Sequence, residues 1–498
     1  MKENKLYTMV TSNDATIFWY KPLGITEESE YIVYLDGSVY GRTKKTHYQI
    51  KNLKSDHKYR VKVEYTVGKK QDKGIKIDKT SFVTNKEKKI IDITKAPYNA
   101  VGDGKTMNTK ALQMAIDEAG IKEQVYIPAG TYLTGALHLH GNLEIYLDKK
   151  AVLKGTDNPR DYLPKIPSRF EGIEMMCYSS LINMGTMDHE SDTNCENVLI
   201  YGEGTIESGG KALAQNVINE EKKNIDSKNI DFSVYEKVET LPGRVRPRLI
   251  NISNSKNVRI SGLSLKNGAS WNVHMIYSEN IITDHCSFYS EDVWNGDGWD
   301  PDSSHNCSIF ACDFYTGDDA IAIKSGKNPE GNKINIPTRN INIFDCVSKF
   351  GHGIVIGSEI SGGIENINIW DCDMRNSSSG FEVKATKKRG GYVRNVRVRD
   401  SAFPRVMFHQ VSYNDDGEAA KQLPLCTDCR FENIKLVGKY LDDDKKLQPC
   451  SAIEIIGFDD KKELMRDIEF CNVSIENKAG ISLVNCTGVS LENISTKD

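Results

Sequence analysis

The chain has 498 residues, too many for one ordinary compact domain, so several domains or an extended repeat architecture are expected. Its 65 basic and 69 acidic residues leave a net charge of -4, which gives no bulk attraction to nucleic acid or membrane; neither is expected as a partner, and any anionic ligand must meet a local cluster. The opening stretch, MKENKLYTMVTSNDATIFWY, lacks the continuous apolar run of a leader, and no segment approaches the roughly 20 apolar residues that span a bilayer. Of the twelve cysteines, Cys286, Cys312, Cys346 and Cys372 sit in strand-like runs that suit buried thiols better than a disulfide frame. The expectation is a soluble, cytoplasmic protein in reducing surroundings.

From residue 5 to about 87, short runs such as TIFWY, YIVYLDG and THYQIKNL alternate apolar and polar residues between Gly, Asp, Ser and Lys turns, the pattern of a small antiparallel sandwich. Trp19, the YLDG turn and the NLKSDHKYRVKV corner resemble a fibronectin type III domain over nearly its full length. The lysine-rich TNKEKKIIDITK then marks a boundary, which divides the chain into a sandwich over 1–88 and a second domain over 89–498.

The second domain opens with NTKALQMAIDEAG, read as a short helix capped by Asn108, with apolar Leu112, Met114, Ala115 and Ala119 and a terminal Gly120. Beyond it a four-residue signature recurs: NLEI at 142, NVLI at 197, NVRI at 257, NIIT at 280, NCSI at 306, NINI at 340 and 366, NVRV at 395 and NIKL at 433. From 257 onward the intervals run from 23 to 38 residues, about the length of a coil of three short strands and three turns. Four successive coils carry a cysteine six residues after the asparagine, so like residues stack inside a cylinder. The fold class is all-β: a right-handed parallel β-helix preceded by the sandwich, with the helix over the cylinder's open end, where unpaired backbone otherwise invites aggregation.

Stacked coils lie about 4.8 Å apart, so residues far apart in the chain become neighbours. Asp318 follows Asn306 by 12 residues and His352 follows Asn340 by 12, which places the two at matching positions on adjacent coils. Asp297, 17 residues after Asn280, and Lys384, 18 after Asn366, reach the same face only through longer loops. Alternation along a strand parts Asp318 from Asp319, but a turn at Gly317 presents both to one groove. Three carboxylates, an imidazole and an ammonium fit hydrolysis of a glycosidic bond, which needs an acid for the leaving oxygen and a base for water; inverting enzymes hold these carboxyls about 6.5 to 9.5 Å apart. Mutual repulsion then keeps one carboxyl protonated near neutral pH.

Four stretches in this order, NGDGWDPDSS, TGDDAIAIKSG, GHGIVIGSE and GFEVKA, resemble the motifs of glycoside hydrolase family 28, the polygalacturonases. RPRLI at 246–250 and ASWNVH at 269–274 are similar to flanking strands of its bacterial branch, and the likeness covers about residues 90–498. The resemblance implies that Asp318 is the general acid and that Asp297 and Asp319 hold and deprotonate the attacking water. It further implies that His352 tunes the acid, that Lys384 binds a substrate carboxylate, that Asn295 orients its neighbours, and that neither metal nor other cofactor is needed. The family usually has an arginine two residues before this lysine, where the chain has Glu382. Either Glu382 points away, or Arg389, Arg246 or Lys324 takes over the binding, or that subsite takes something other than a plain uronate.

Trp271 reads either as a stacking platform for sugar or as a half-buried strand residue. Asp300 and Asp302, flanking Pro301, read as solvated turn residues, and His285 as structural. Cys426 and Cys429 have C-x-x-C spacing without a second pair or a nearby histidine, which argues against zinc. The expected activity is inverting hydrolysis of α-1,4-galacturonosidic bonds in pectin-derived chains, with exo action. The alternatives are the same fold acting on rhamnogalacturonan or a substituted galacturonan, a calcium-dependent pectate lyase, or a non-catalytic carbohydrate-binding β-helix.

Overall fold

The computed structural model describes residues 5–25, 28–66, 75–188, 194–223, 242–410, 417–459 and 461–497, so the first four residues of the stretch read for a leader lie outside it. The chain forms two compact units, Met1–Ile90 and Ile91–Asp498. Among the described residues no helix is long and apolar enough to cross a membrane.

Among the described residues the first unit has seven antiparallel strands: β1 (Leu6–Val10), β2 (Ala15–Trp19), β3 (Glu30–Leu35), β4 (Ser38–Thr43), β5 (His47–Ile50), β6 (Lys58–Thr66) and β7 (Ile75–Val83). They make two sheets, ordered β1-β2-β5 and β4-β3-β6-β7. The period-2 pattern sends Ile17, Trp19, Val33, Ile50, Val61 and Val63 into a shared core. Leu35 pairs with Ser38 across Asp36 and Gly37, both at positive φ, which is the two-residue hairpin turn that YLDG specifies.

The second unit is a parallel β-helix whose described residues form three long sheets with fifteen, eight and eleven strands, each strand paired with its counterpart one coil away. The right-handed winding is the hand that parallel crossovers take almost without exception. One continuous apolar core fills the cylinder. Its end is closed by α1 (Thr109–Glu118), which buries Leu112, Ala115 and Ile116. Asn108 stands at the expected N-cap position, yet its side chain does not cap the helix; its Oδ1 accepts from Val101 N at 2.7 Å instead.

The recurring asparagines have a physical cause. Asn142, Asn197, Asn257, Asn280, Asn306, Asn340, Asn366 and Asn395 all hold φ between 53° and 60°, the left-handed region that asparagine tolerates better than most residues. Their amides link coil to coil: Asn340 donates to Asn306 Oδ1 at 2.9 Å and accepts from Asn366 Nδ2 at 3.1 Å. The ladder breaks once, where Asn306 donates to Glu279. Inside, Cys286, Cys312, Cys346 and Cys372 stack as expected, each thiol set on the carbonyl two residues before it.

One register differs. Val396 pairs with Cys429, so the partner of Asn395 is Asp428, at φ 55°, and NIKL at 433 belongs to a second column. Asn433 donates to Asp400 and accepts from Asn472, which in turn accepts from Asn493. Aspartate fills the left-handed position in the first column at 428, so the asparagine signature at 433 marks the neighbouring column.

Asn340→Ala loses both ladder contacts and places a Cβ residue without a local hydrogen bond at φ 57°, which should cost about 1–3 kcal/mol. Asn340→Gly keeps the conformation accessible and should cost less. Thermal melting of the three proteins checks the order; an alanine variant that melts with wild type contradicts it.

Candidate active site

Asp297, Asp318, Asp319 and His352 each lie within three residues of the start of successive strands of the eleven-strand sheet, namely Trp299–Asp302, Ile321–Ile323 and Gly353–Ile356. Lys384 lies on the next strand, Gly380–Ala385. Gly317 matters for its missing Cβ, not for a special φ. A Cβ there would sit 2.6 to 2.7 Å from the carbonyl oxygens of Ser290, Glu291 and Val293, so only glycine lets this turn nest on the preceding one.

The stacking brings the predicted groups together. His352 N donates to Asp318 O at 3.0 Å, and its Nδ1 lies 2.9 Å from Asp318 Oδ1 and 3.0 Å from Asp319 Oδ1. Lys384 Nζ is 3.7 Å from Asp319 Oδ1, and Lys324 Nζ is 3.1 Å from Asp297 Oδ2. Asn295, Asp297, Asp318, Asp319, Lys324, Lys384 and Arg389 line a single cavity. Asp318, Asp319 and His352 also present three donor atoms within 4.8 Å of one another, a spacing a metal ion would accept, although an ion there must displace the proton that the imidazole holds firmly.

The electrostatics split the carboxyls. Burial would lift Asp319, but Lys384, then His352 and Lys324, hold it below the usual carboxylate range. Burial pushes Asp297 up to about 8, against Lys324 and with the help of Asp318 and Asp319. Burial would lower His352, yet the hydrogen bonds and charges of Asp318 and Asp319 carry it to about 11. The carboxyl that keeps its proton into the neutral range is therefore Asp297, and burial, more than the expected mutual repulsion, is the cause.

Several expectations need correction. Asp300 and Asp302 are fully buried, not solvated. Asp302 accepts from Arg169 at 2.8 Å and from Gly326 N at 3.0 Å. Asp300 has neither oxygen hydrogen-bonded; burial and then Asp297 raise it well above the ordinary range. Lys324 stands 3.7 Å from Asp300 as well as beside Asp297, so one ammonium serves two buried carboxyls and a proton must be retained on the pair. Arg246 does not bind substrate from the cavity wall: fully buried, it donates to Gly243 O, Ala269 O, Trp294 O and, at 2.6 Å, to Asn295 Oδ1, which it orients. Trp271 lines the same cavity, yet it is 1% exposed, with Phe170 stacked on it at 4.8 Å and Lys324 4.7 Å from its ring, so it offers no open face for stacking. Glu382 does not line the cavity; it lies 3.3 Å from His409 Nδ1, and His409 Nε2 meets Glu454 at 2.7 Å, so its charge is absorbed by the next coil.

The sequence reading missed Glu171, Arg244, Lys327 and Glu359, which also line the cavity. Glu171 and Gly172, both at positive φ, turn a hairpin of Ile166–Phe170 and Ile173–Cys177. The RFEGIEM stretch carried that signal as an acidic residue followed by glycine between apolar runs. The tip is locked where Lys327 N donates to Gly172 O at 2.9 Å and Glu174 N to Glu330 at 2.8 Å.

An acid–base carboxyl cluster with cationic walls on the face of a parallel β-helix defines a polysaccharide-cleaving hydrolase site. Residues 118–496 match the sequence pattern of glycosyl hydrolases family 28, and the chain belongs to that family. A probable polygalacturonase of Vitis vinifera is 33% identical over 315 residues, which is 61% of this chain and 58% of that protein. The exo-poly-alpha-D-galacturonosidase of Dickeya chrysanthemi is 25% identical over 465 residues, 89% of this chain and 76% of the other. In three dimensions the family 28 exopolygalacturonase of Yersinia enterocolitica superposes with a TM-score of 0.81 over 99% of this chain and 96% of that one, at 22% identity, which shows a shared fold.

Asp297 binds a proton in the folded chain between the ordinary carboxyl value, near 4, and about 8, so it lowers stability as pH rises through that window. Asp297→Asn should therefore melt increasingly above wild type between about pH 5 and pH 8. A constant offset across that range contradicts the assignment.

Proposed function

We propose that the protein hydrolyses α-1,4-galacturonosidic bonds of pectin-derived chains by direct water attack, with inversion, working from a chain end. The observation that carries this reading is that Asp297, Asp318 and Asp319 line one cavity with cationic walls, with His352 in contact with Asp318 and Asp319, in a chain of family 28. Asp319, held ionised, takes a proton from the attacking water. Asp297, whose buried Oδ1 has no hydrogen-bond partner, is the group left to hold that water. The water oxygen bonds to the anomeric carbon as the bond to the leaving oxygen breaks. That oxygen takes its proton from Asp318, the more exposed carboxyl, which His352 orients through their 2.9 Å contact; Asp319 then releases the water's proton to solvent and Asp318 takes one back. Lys384, Lys327, Arg244 and Arg389 supply the positive field that a uronate carboxylate needs.

Exo action is supported by the hairpin whose tip, Glu171–Gly172, bears on Lys327 and walls off one side of the cavity, and by the names of the Dickeya and Yersinia relatives. The first unit is read as a fibronectin type III-like domain. Its β1-β2-β5 and β4-β3-β6-β7 sheets and the Tyr59 hydroxyl accepting from Lys54 N at 2.9 Å, a tyrosine corner, support that reading. A cytoplasmic setting, where imported oligosaccharides are trimmed, fits twelve cysteines that all stand as thiols.

Anomer-resolved NMR of galacturonate trimer digests tests the proposal. The expected result is one galacturonate released per event, with β-configured new reducing ends; an unsaturated product or retained configuration overturns it. Asp318→Asn should lose roughly a hundred- to ten-thousandfold in kcat while melting like wild type, and an active Asp318→Asn protein contradicts its role as acid.

A further inference from the structure

Five tryptophans occur in the chain, and four of them, Trp19, Trp271, Trp299 and Trp370, are at most 1% exposed. Trp294 is 52% exposed. It is not a loose surface side chain. The guanidinium of the fully buried Arg246 lies 4.4 Å from its ring centroid, and the same guanidinium fixes the Trp294 carbonyl at 2.6 Å. A Cβ on Gly243 would come within 2.7 Å of the indole, so the glycine leaves room for the ring to lie flat against that segment. The neighbours on both sides belong to the cavity: Asn295 follows Trp294 in the chain, and Arg244 follows Gly243, and both are cavity-lining residues. The chain therefore holds a large apolar ring in water, on a buried support, at the rim where two walls of the site meet.

An exposed indole in a fixed orientation next to a sugar-cleaving site has a natural complement in the C–H face of a pyranose ring, which is apolar while its edges carry the hydroxyls. We propose that Trp294 is the aromatic platform on which a sugar residue of the substrate stacks at the mouth of the cavity. This rests on the reading of the site as one that takes a pectic chain. Trp271, which the sequence offered for that task, lines the cavity but is 1% exposed with Phe170 stacked on it, and leaves the task to its exposed counterpart.

Because Trp294 is the exposed indole, the test can be read optically. In the full-length Asp318→Asn protein, titration with galacturonate trimer should change tryptophan emission with saturation and protect it from iodide quenching. In wild-type background, Trp294→Ala should raise KM for the trimer about three- to tenfold with kcat changed less than twofold, and Trp294→Phe should restore most of the loss. An emission spectrum and iodide quenching unaffected by trimer, when calorimetry shows the trimer bound, overturns the platform, as does a KM unchanged in Trp294→Ala. If Trp294→Ala fails to fold, the quenching measurement decides alone. Absence of trimer hydrolysis by the wild-type protein would sink the functional reading itself, whereas hydrolysis with a silent Trp294 sinks only this inference.

Discussion

The structure depends on coil-to-coil register. Parallel strands spaced about 4.8 Å apart hold only if each coil repeats the path of the one before, and a one-residue slip turns every inward side chain outward. The asparagine ladder enforces that repetition. Each member needs the left-handed backbone that asparagine tolerates, and each amide both donates and accepts, so a coil out of step would lose a hydrogen bond on either side. Cysteine and aromatic stacks inside the cylinder, such as Phe288 on Phe314 at 4.7 Å and Phe431 on Phe470 at 4.9 Å, add shape to the same constraint.

Chemistry follows from that register. Asp318 and His352 are 34 positions apart in sequence, yet the backbone hydrogen bond between them fixes their side chains in contact. Adjacent coils also force like charges together, and the protein answers with two different solutions. Asp319 is stabilised as an anion by the cations of later coils. Asp297, deeper and sharing Lys324 with Asp300, keeps a proton instead. One groove thus holds two carboxyls in opposite protonation states.

Much of this was legible in the sequence because the repeat is local. The asparagine series, the cysteines six residues later and the equal offsets of Asp318 and His352 all arise within single coils. Part of what escaped has a common origin in one hairpin. Arg169 neutralises Asp302, Phe170 covers Trp271, and Glu171 enters the cavity, all from residues 166–177, which lie outside the repeat. A stretch such as WDPD looks like a solvated turn until a cation more than a hundred positions away lands on it. Register at Asn433 was missed for a different reason: a left-handed position accepts aspartate as readily as asparagine, so identity is a weaker guide than conformation.

The same hairpin separates what the fold supplies from what this chain adds. A β-helix alone presents an open trough along its sheet, suited to a polymer lying across many coils. The Glu171–Gly172 tip, pinned to Lys327 and Glu330, replaces part of that trough with a wall, and Arg244 pairs with Glu171 at 3.0 Å to extend it. On the proposed exo reading, cleavage close to an end follows from where the hairpin is anchored, and the acid–base groups themselves need not differ from those of a site that cuts in mid-chain.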